Sequence, residues 1–323
     1  MARLAVLTSG GDAPGMNAAI RALTRSGLVR GHDIFGIRHG YTGLIAGDVM
    51  PLHARAVGGI INRGGTILGT TRCQALKSQQ GQRAAVAVLH DHRIDALFVI
   101  GGNGSQAGAL ALAEHGIRVL GISSTIDNDL TGADPSIGVM TALDVVVEAI
   151  DRLRTTASAF GRAFLVEVMG RHSGYLALLS GIAGGAEMIV LPEHDVEPEC
   201  LLARLHELRR ERRSHAIVVV AEGAVWNADR LADYFKEHND GESFETRVTK
   251  LGHVQRGGVP GVFDRILATR LGSAAIEAFE RGDGHVLLGH LEGRIRMTDL
   301  DQVNTQAKAF PEDLHTLAQT LAR

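Results

Sequence analysis

The chain has 323 residues, a formal net charge of −3 and 21% charged residues, which argues against a nucleic-acid or membrane-surface protein. Its apolar runs are shorter than a membrane span, and the length allows two domains with a large core. The two cysteines, Cys73 and Cys200, lie far apart without metal-ligand spacing, so we expect a reducing cytoplasm and no disulfide. Met1 leads into a short apolar run without the pattern of a secretory signal.

Short apolar runs alternate with helical patterns along the chain. Strands are predicted at Leu4–Leu7, Ile34–Ile37, Ala96–Ile100, Val119–Ile122, Phe164–Val168, Met188–Leu191 and Ile217–Ala221. Helices are predicted between Pro14, which precedes the first one, and Arg30, and at Thr141–Arg154, Leu201–Arg210 and Val262–Phe279. The polar segment 236–244 is predicted to be a loop. This alternation predicts an α/β fold with mainly parallel sheets that helices cover on both faces.

The predicted strands end in glycine-rich, polar segments, and ligands of parallel sheets bind at the carboxyl ends of strands. The first strand leads into TSGGDAPGMN (Thr8–Asn17) and the third into GGNGS (Gly101–Ser105). Backbone N–H groups at the start of a following helix suit phosphate, and Ser105 is expected to cap its helix. Either loop alone could be an ordinary tight turn, but two such loops in one sheet favour a phosphate site.

The segment TIDND places Asp127 and Asp129 two residues apart, just after a buried strand. If the segment is extended, both carboxylates point to one side. One carboxylate could then accept a hydroxyl proton while the other organises magnesium. A solvated Asx turn is the alternative interpretation of the same residues.

Later strand ends carry arginines and a glutamate. Arg171 in VMGRHSG could stabilise a phosphoryl group during transfer, and Glu222 could bind sugar hydroxyls. A second phosphate could be bound by Arg162, Arg247 and Arg256, with help from His253. Isolated arginines are more often surface ion pairs, so these residues alone do not identify a ligand.

Seven segments follow one another along the chain: VLTSGGDAPGMNAAIR, INRGGTILGTTR, TIDND, EAIDRLR, VEVMGR, IAGG and LGHVQRGG. In their order and spacing the chain resembles, over essentially its whole length, the bacterial ATP-dependent 6-phosphofructokinases, the phosphofructokinase A family. The resemblance implies a homotetramer of chains with two three-layer α/β/α domains and an active site between them. The expected domains are 1–138 plus 251–304, which bind nucleotide, and 139–250 plus 305–323, which bind sugar phosphate.

The resemblance also implies a role for each matching residue. Asp127 would be the base, with Thr125 and Arg171 stabilising the transferred phosphoryl group. The nucleotide would contact Gly11, Arg72, Cys73, Gly102, Asn103, Gly104, Ser105 and Gly108. The sugar phosphate would contact Thr125, Asp127, Asp129, Met169, Gly170, Arg171, Glu222, His253 and Arg256, together with Arg162 and Arg247 from a neighbouring subunit. An allosteric effector would contact Arg21, Arg25, Arg154, Gly185, Glu187 and Arg213.

The chain departs from the family at several positions. Asn103 stands where the family usually has the aspartate of its magnesium site, and Ser123-Ser124 replaces Pro-Gly. We expect magnesium to be held by ATP phosphates, water, Asn103 and Asp129. Around the effector site, three residues differ from the family, which often has a charged group at these positions, basic at the first and the last: Ala54, Gly59 and Glu211.

The expected activity is ATP-dependent phosphorylation of fructose 6-phosphate at its 1-hydroxyl, in the cytoplasm, with Mg²⁺. A pyrophosphate-dependent enzyme is the main alternative, although such relatives carry an acidic residue at Gly104 and a lysine at Ser124. A catalytically silent effector-binding paralogue is another, which intact Asp127, Arg171 and Arg162 argue against. NAD and lipid kinases share a GGxG loop but not the MGR and HVQRGG segments.

Overall fold

The computed structural model describes residues 1–239 and 241–321, which form two compact units. The first unit comprises Met1–Thr141 and Arg256–Lys308, and the second comprises Ala142–Gln255 together with the chain from Ala309 onward. The predicted functional domains, with boundaries at 138, 250 and 304, remain a prediction. Among the described residues, every helix is too short or too polar to cross a membrane.

The strands and helices follow one another in βα alternation. The strands are β1 (Arg3–Thr8), β2 (Asp33–Ile37), β3 (Val49–Pro51), β4 (Ala96–Gly101), β5 (Val119–Ser123), β6 (Arg162–Val168), β7 (Met188–Val190), β8 (Ala216–Ala221), β9 (Glu245–Lys250), β10 (Val286–Leu291) and β11 (Arg294–Asp299). The helices are α1 (Met16–Val29), α2 (Gly40–Ala46), α3 (Gln79–Asp91), α4 (Asn103–Ala113), α5 (Val139–Phe160), α6 (Tyr175–Ala183), α7 (Pro198–Arg210), α8 (Ala228–His238), α9 (Val262–Arg281), α10 (Leu300–Thr305) and α11 (Glu312–Leu321).

The first unit contains a seven-stranded sheet in the order β11-β10-β5-β4-β1-β2-β3. Only the edge pairs β2–β3 and β10–β11 are antiparallel. The apolar runs of β1, β4 and β5 are buried because helices cover both faces of the sheet. β2 lies on one side of β1 and β4 on the other, so the carboxyl ends of β1 and β4 form a topological switch point, where ligands of such sheets bind.

The second unit contains a four-stranded, fully parallel sheet in the order β7-β8-β6-β9. Two apolar clusters cover its faces, one around Leu205 and Phe235 and the other around Ile150 and Leu178. β6 has β8 on one side and β9 on the other, so this sheet also has a switch point, at the carboxyl end of β6. The predicted α/β class with mainly parallel sheets is confirmed.

The prediction missed the apolar strand β10 and failed where polar residues form regular structure. β9 and β11 are exposed edge strands of alternating polar residues, so they lack the apolar run that marks a buried strand. The segment 236–244 was expected to be a loop, yet α8 continues to His238 and Phe244 is buried. Residue 240 of that segment lies outside the described residues. The amphipathic face of α8, with Leu231 and Phe235 in the core, extends the helix.

Candidate active site

The loops after β1 and β4 are joined at the switch point of the first unit. The Ser9 N–H donates to the Ile100 carbonyl at 3.1 Å, and the buried Ser105 hydroxyl donates to the Ser9 carbonyl at 2.8 Å. Ser105 was expected to cap α4, but Gly102 occupies the N-cap position and has no side chain to cap with. The hydroxyl of Ser105 instead ties the two glycine-rich loops together.

The start of α4 presents the N–H groups of its first turn beside open space. In the described part of the chain, a Cβ built on Gly104 would have no heavy atom within 4 Å. The first N–H groups of α4 lie at the positive end of the helix, which favours an anionic group, and position 104 is open beside them. Asn103 also donates its side-chain N–H to the main-chain carbonyl of Asp129 at 3.4 Å, which brings the two predicted metal-binding residues together.

The glycine at position 108 has a packing role in α4. A Cβ there would lie 2.7 Å from the ring of Tyr41, and the Tyr41 hydroxyl donates to the Ser105 carbonyl at 2.6 Å. Burial, and secondarily the charge of Cys73, raises the pKa of Tyr41 well above its usual value. Cys73 is half-buried and packs against the same core cluster, while Arg72 is exposed in the loop before it. Tyr41 therefore supports the glycine loop from behind.

Asp127 and Arg256 form a buried pair of opposite charges in the first unit. Their side chains are 5% and 8% exposed, and Arg256 Nη2 lies 3.8 Å from Asp127 Oδ1. Arg256 Nη1 donates to the Asp12 carbonyl at 3.0 Å, and a Cβ on Gly11 would lie only 2.4 Å from that nitrogen. The glycine at position 11 therefore lets Arg256 lie between the first loop and Asp127.

The segment from Thr125 to Asp129 is bent, so the condition under which both carboxylates would point to one side is not met. Asn128 has a φ of 50°, in the left-handed region that asparagine tolerates. Its side chain donates to Asp134 Oδ1 at 2.9 Å and accepts from the Ser136 N–H at 3.1 Å, which holds the bend. Asp127 is buried and Asp129 is half-exposed, so the two carboxylates occupy different surroundings.

In the second unit, Glu222 holds the backbone that follows β6. One oxygen of Glu222 accepts the N–H groups of Gly170 and Arg171 at 3.2 and 2.9 Å. The Met169 N–H donates to Gln255 Oε1 at 3.2 Å. Arg171 has a φ of 54° and its side chain is exposed beyond the end of the strand. The carboxylate therefore fixes a loop that presents an arginine to solvent.

Arg162 and Arg247 meet at one carboxylate, Glu245. Arg162 lies opposite Glu245 across the β6–β9 pair, and its Nε donates to Glu245 Oε2 at 2.7 Å. Arg247 bonds the other oxygen, and hydrogen bonds from Arg162 and Arg247 lower the pKa of Glu245. The structure thus brings together two of the four predicted phosphate ligands. Of the other two, His253 is exposed in the short 3₁₀ turn Gly252–Gln255, whereas Arg256 lies with Asp127.

Four of the six predicted effector residues line one cavity of about 300 Å³ in the second unit: Arg154, Gly185, Glu187 and Arg213. Arg154 donates to the carbonyls of Gly184 and Gly185, the latter at 2.9 Å. The remaining two, Arg21 and Arg25, are one turn apart on α1 in the first unit.

Sequence reasoning missed Asp264, which is fully buried in the first turn of α9. Its two oxygens accept the N–H groups of Gly138 and Thr141, both at 2.8 Å, and the Thr141 hydroxyl at 2.6 Å. An acidic residue in the first turn of a helix is a common pattern, so it did not indicate these distant partners. Glu245 was missed for a similar reason, because only strand pairing places it beside Arg162.

Parallel sheets with glycine-rich and charged loops at their switch points are typical of α/β proteins that bind a ligand at those loops. The family model described as Phosphofructokinase matches residues 3–279. The chain is 48% identical over 324 residues to the ATP-dependent 6-phosphofructokinase 1 of Thermus thermophilus, with 100% of both chains covered. The chain therefore belongs to the phosphofructokinase family, which confirms the resemblance of its motifs.

Solved structures share the fold. The phosphofructokinase of Pichia pastoris in the T-state matches with a TM-score of 0.88 and 35% identity, over 99% of this chain and 36% of that chain. A pyrophosphate-dependent phosphofructokinase from Marinobacter aquaeolei matches with a TM-score of 0.86 and 21% identity, over 100% of this chain and 92% of that one. At that identity the second match bears on the fold alone.

Proposed function

We propose that the protein transfers the terminal phosphoryl group of ATP to the 1-hydroxyl of D-fructose 6-phosphate, giving fructose 1,6-bisphosphate and ADP in glycolysis. The observation that carries this proposal is the buried Asp127–Arg256 pair next to two joined glycine-rich loops at a switch point. The full-length similarity to ATP-dependent 6-phosphofructokinases supports it.

The nucleotide binds to the loops of the first unit. The N–H groups at the start of α4 contact its phosphates, and Gly104 leaves the space that the nucleotide occupies. The proposed contacts are Gly11, Arg72, Cys73, Gly102, Asn103, Gly104, Ser105 and Gly108. Of these, Ser105 and Gly108 contribute by shaping the loop around the nucleotide, because their observed contacts are with other residues of the protein.

Asp127 accepts the proton from the attacking 1-hydroxyl. Arg256 lies 3.8 Å away and holds the carboxylate in place by Coulomb attraction, which is stronger away from water. Thr125 and Arg171 stabilise the charge of the phosphoryl group in transit. Since phosphoryl transfer needs mainly positioning and charge stabilisation, fixed loops supply most of the catalysis.

The second unit binds the sugar phosphate. Arg162 and Arg247 already converge on the carboxylate of Glu245, so they are spaced for an anion with several oxygens. We assign them to the 6-phosphate, together with His253, while Arg256 stays beside Asp127. Met169, Gly170 and Glu222 contact the sugar, and Asp129 is a further proposed contact with the substrate. In Glu222, one oxygen holds the loop backbone, which leaves the other for a hydroxyl group.

Magnesium would be held by Asp129 and Asn103. A carboxylate and an amide oxygen are hard oxygen ligands, which suit this ion, and the hydrogen bond from Asn103 to Asp129 places the two residues together. The ion would neutralise charge on the ATP phosphates when bound.

Two variants test this assignment. Asp129→Ala should strongly raise the magnesium concentration needed for activity at saturating ATP, and Asn103→Asp should lower it modestly. Unchanged magnesium dependence in Asp129→Ala would show that Asp129 is structural.

A coupled assay with fructose 6-phosphate that compares ATP with pyrophosphate tests the donor. We expect pyrophosphate to be poorer by at least an order of magnitude in kcat/KM, equivalent to about 1.4 kcal/mol. A preference for pyrophosphate by that margin would instead identify a pyrophosphate-dependent enzyme. The absence of turnover with either donor would favour a silent paralogue.

We further propose a cytoplasmic homotetramer in which Arg162 and Arg247 serve a neighbouring subunit. The free thiols of Cys73 and Cys200 support a reducing compartment. A phosphate-bearing effector would bind Arg154, Gly185, Glu187 and Arg213, with Arg21 and Arg25 as further ligands. Sedimentation of the purified protein tests the oligomeric state.

A further inference from the structure

A single buried carboxylate joins the starts of two long helices in the first unit. Asp264 lies in the first turn of α9 and is fully buried. Its Oδ1 accepts the N–H of Gly138 at 2.8 Å, while its Oδ2 accepts the N–H of Thr141 at 2.8 Å and the Thr141 hydroxyl at 2.6 Å. These partners stand at the start of α5, 126 and 123 residues earlier in the chain. Asp264 therefore fixes the start of α5 to the start of α9.

The surroundings of Asp264 favour a carboxylate at this position. A buried carboxylate is unfavourable unless other hydrogen bonds replace those that it made to water, and Asp264 accepts three. It also lies at the positive, N-terminal ends of both helices. A serine or aspartate directly before α5 could have capped that helix alone. Only a cap that comes from α9 also sets the position of one helix relative to the other.

The loop that leads into α5 carries Asp127. Asn128, the next residue, accepts the Ser136 N–H at 3.1 Å through its side chain. Gly138, two residues beyond Ser136, donates its N–H to Asp264. A displacement of the start of α5 is therefore transmitted to Asp127 through a short, hydrogen-bonded segment.

The loop that leads into α9 carries Arg256. The Thr141 hydroxyl, which donates to Asp264, also accepts the Gly261 N–H at 3.0 Å. Gly261 is the N-cap residue of α9, so the end of this loop is bound to the same junction. Since Arg256 Nη2 lies 3.8 Å from Asp127 Oδ1, the two loops on either side of Asp264 carry the two members of the buried pair.

The first glycine-rich loop packs against the same junction. A Cβ on Gly138 would lie 2.7 Å from the Cβ of Ala13, and one on Gly15 would lie 3.5 Å from the Cβ of Asp264. Gly138 also has a φ of 100°, which residues other than glycine rarely adopt. Three loops that carry proposed active-site residues therefore meet around Asp264, and a change there reaches all three.

We propose that Asp264 is a positioning residue for phosphoryl transfer, which holds Asp127 and Arg256 at the separation that proton acceptance needs. This role presupposes the proposed kinase activity. Asp264 is fully buried, so it acts through the loops and does not contact substrate. A displacement of about 1 Å in a catalytic group can lower the rate by roughly 100-fold. The loss of Asp264 should therefore affect kcat far more than the KM of either substrate.

The first test compares Asp264→Asn with the wild type in the coupled assay. The substitution keeps the shape of the side chain but replaces one acceptor oxygen with an amide N–H₂ group that faces N–H or O–H donors, so the junction loses at least one hydrogen bond. We expect kcat to fall by roughly 10- to 100-fold, while the KM values for ATP and fructose 6-phosphate change by less than about three-fold.

Thr141 tests the junction without removing the buried carboxylate. Thr141→Val deletes the hydroxyl that connects Asp264 to Gly261, so kcat should fall by a smaller factor than in Asp264→Asn. Thr141→Ser keeps this hydroxyl and should retain wild-type kcat. The recovery in the serine variant assigns the effect to the hydrogen bonds of the junction.

Asp95→Asn is the matched control in the same sheet. Asp95 Oδ2 accepts the Arg3 N–H at 2.7 Å just before β4, at the end of that strand opposite to the glycine-rich loops. The same chemical change at this position should leave kcat at its wild-type value. Assays at temperatures well below the measured melting temperature of each variant separate an effect on catalysis from a loss of folded protein.

A double-mutant cycle distinguishes positioning from a general loss of structure. If Asp264 acts through Asp127, adding Asp264→Asn to Asp127→Asn should lower kcat further by less than about three-fold. An equal loss in both backgrounds would overturn the proposal, as would an unchanged kcat in both Asp264→Asn and Thr141→Val. A wild type that phosphorylates fructose 6-phosphate with neither ATP nor pyrophosphate would instead overturn the proposed function, and this role with it.

Discussion

The two units hold their functional charges in opposite ways. Asp127 and Arg256 in the first unit are almost fully buried, whereas Arg247 in the second has 44% of its side chain exposed, beside an exposed Glu245. A buried pair has few alternative positions and little solvent screening, so its geometry is fixed. An exposed ion pair contributes little to stability, so its carboxylate can give way to a substrate phosphate. The buried pair is suited to holding a catalytic group in position, and the exposed pair is suited to reversible binding of a phosphate.

The largest effect is expected at Asp127. A positioned general base contributes roughly 10²–10⁴-fold to a proton-transfer step, so Asp127→Asn should lower kcat by about that range. Because the substitution keeps shape, the KM for fructose 6-phosphate should change little. Steady-state kinetics checks both values. Near wild-type turnover would show that Asp127 is not the base.

A smaller effect, of a different kind, is expected at Arg247. The Arg247→Ala variant loses a charge-assisted hydrogen bond worth about 1.5–3 kcal/mol. Its KM for fructose 6-phosphate should therefore rise by roughly 10- to 150-fold, with a smaller change in kcat. Arg247→Lys is the control, since it keeps the charge and should lose less.

The proposed sharing of a site between neighbouring subunits makes a further prediction for mixed oligomers. Subunits carrying Arg247→Ala and subunits carrying Asp127→Asn should regain activity when combined, because some hybrid sites would contain both native residues. Verified hybrids without any recovery would contradict a site that is shared between subunits.

Glu245→Gln should have a modest effect and tests whether this carboxylate competes with phosphate. Removing its charge leaves Arg162 and Arg247 without their ionised partner, so the KM for fructose 6-phosphate should fall a few-fold. The melting temperature should stay nearly constant because the pair is exposed. A KM that rises instead would mean that Glu245 positions the arginines.

The smallest effect at neutral pH is expected at Tyr41, behind the glycine loop. Tyr41→Phe removes one buried hydrogen bond, so the free energy of unfolding should fall by about 0.5–1.5 kcal/mol. The folded pKa of Tyr41 lies above 10.0, so its contribution is fully present below pH 10 and is lost as pH rises beyond it.

Urea unfolding of the wild type and of Tyr41→Phe, at pH 8 and above pH 10, measures the difference in their free energies of unfolding. The stability advantage of the wild type should shrink at the higher pH. An equal decline in both proteins would show that Tyr41 does not contribute to the alkaline loss of stability.

Sequence by itself determined the α/β class, most of the buried strands and the glycine-rich loops that follow them. Apolar runs such as Ala96–Ile100 become central strands because only a sheet covered on both faces buries so many consecutive apolar residues. The motifs were long enough to identify the family, since several segments had to match in order. Length and periodicity are local properties, so they can be read from the chain alone.

Only the tertiary structure decided which polar groups meet. Sequence reasoning assigned a cap to Ser105 and left open whether Asp127 and Asp129 point to one side, but Ser105 bonds a neighbouring loop and Asn128 bends the chain between the two aspartates. It also grouped Arg256 with Arg162 and Arg247, whereas the fold buries Arg256 beside Asp127. A short polar side chain has several partners within reach in any local conformation. The partner it takes depends on strands and helices that are distant in sequence, and these come together only when the chain folds.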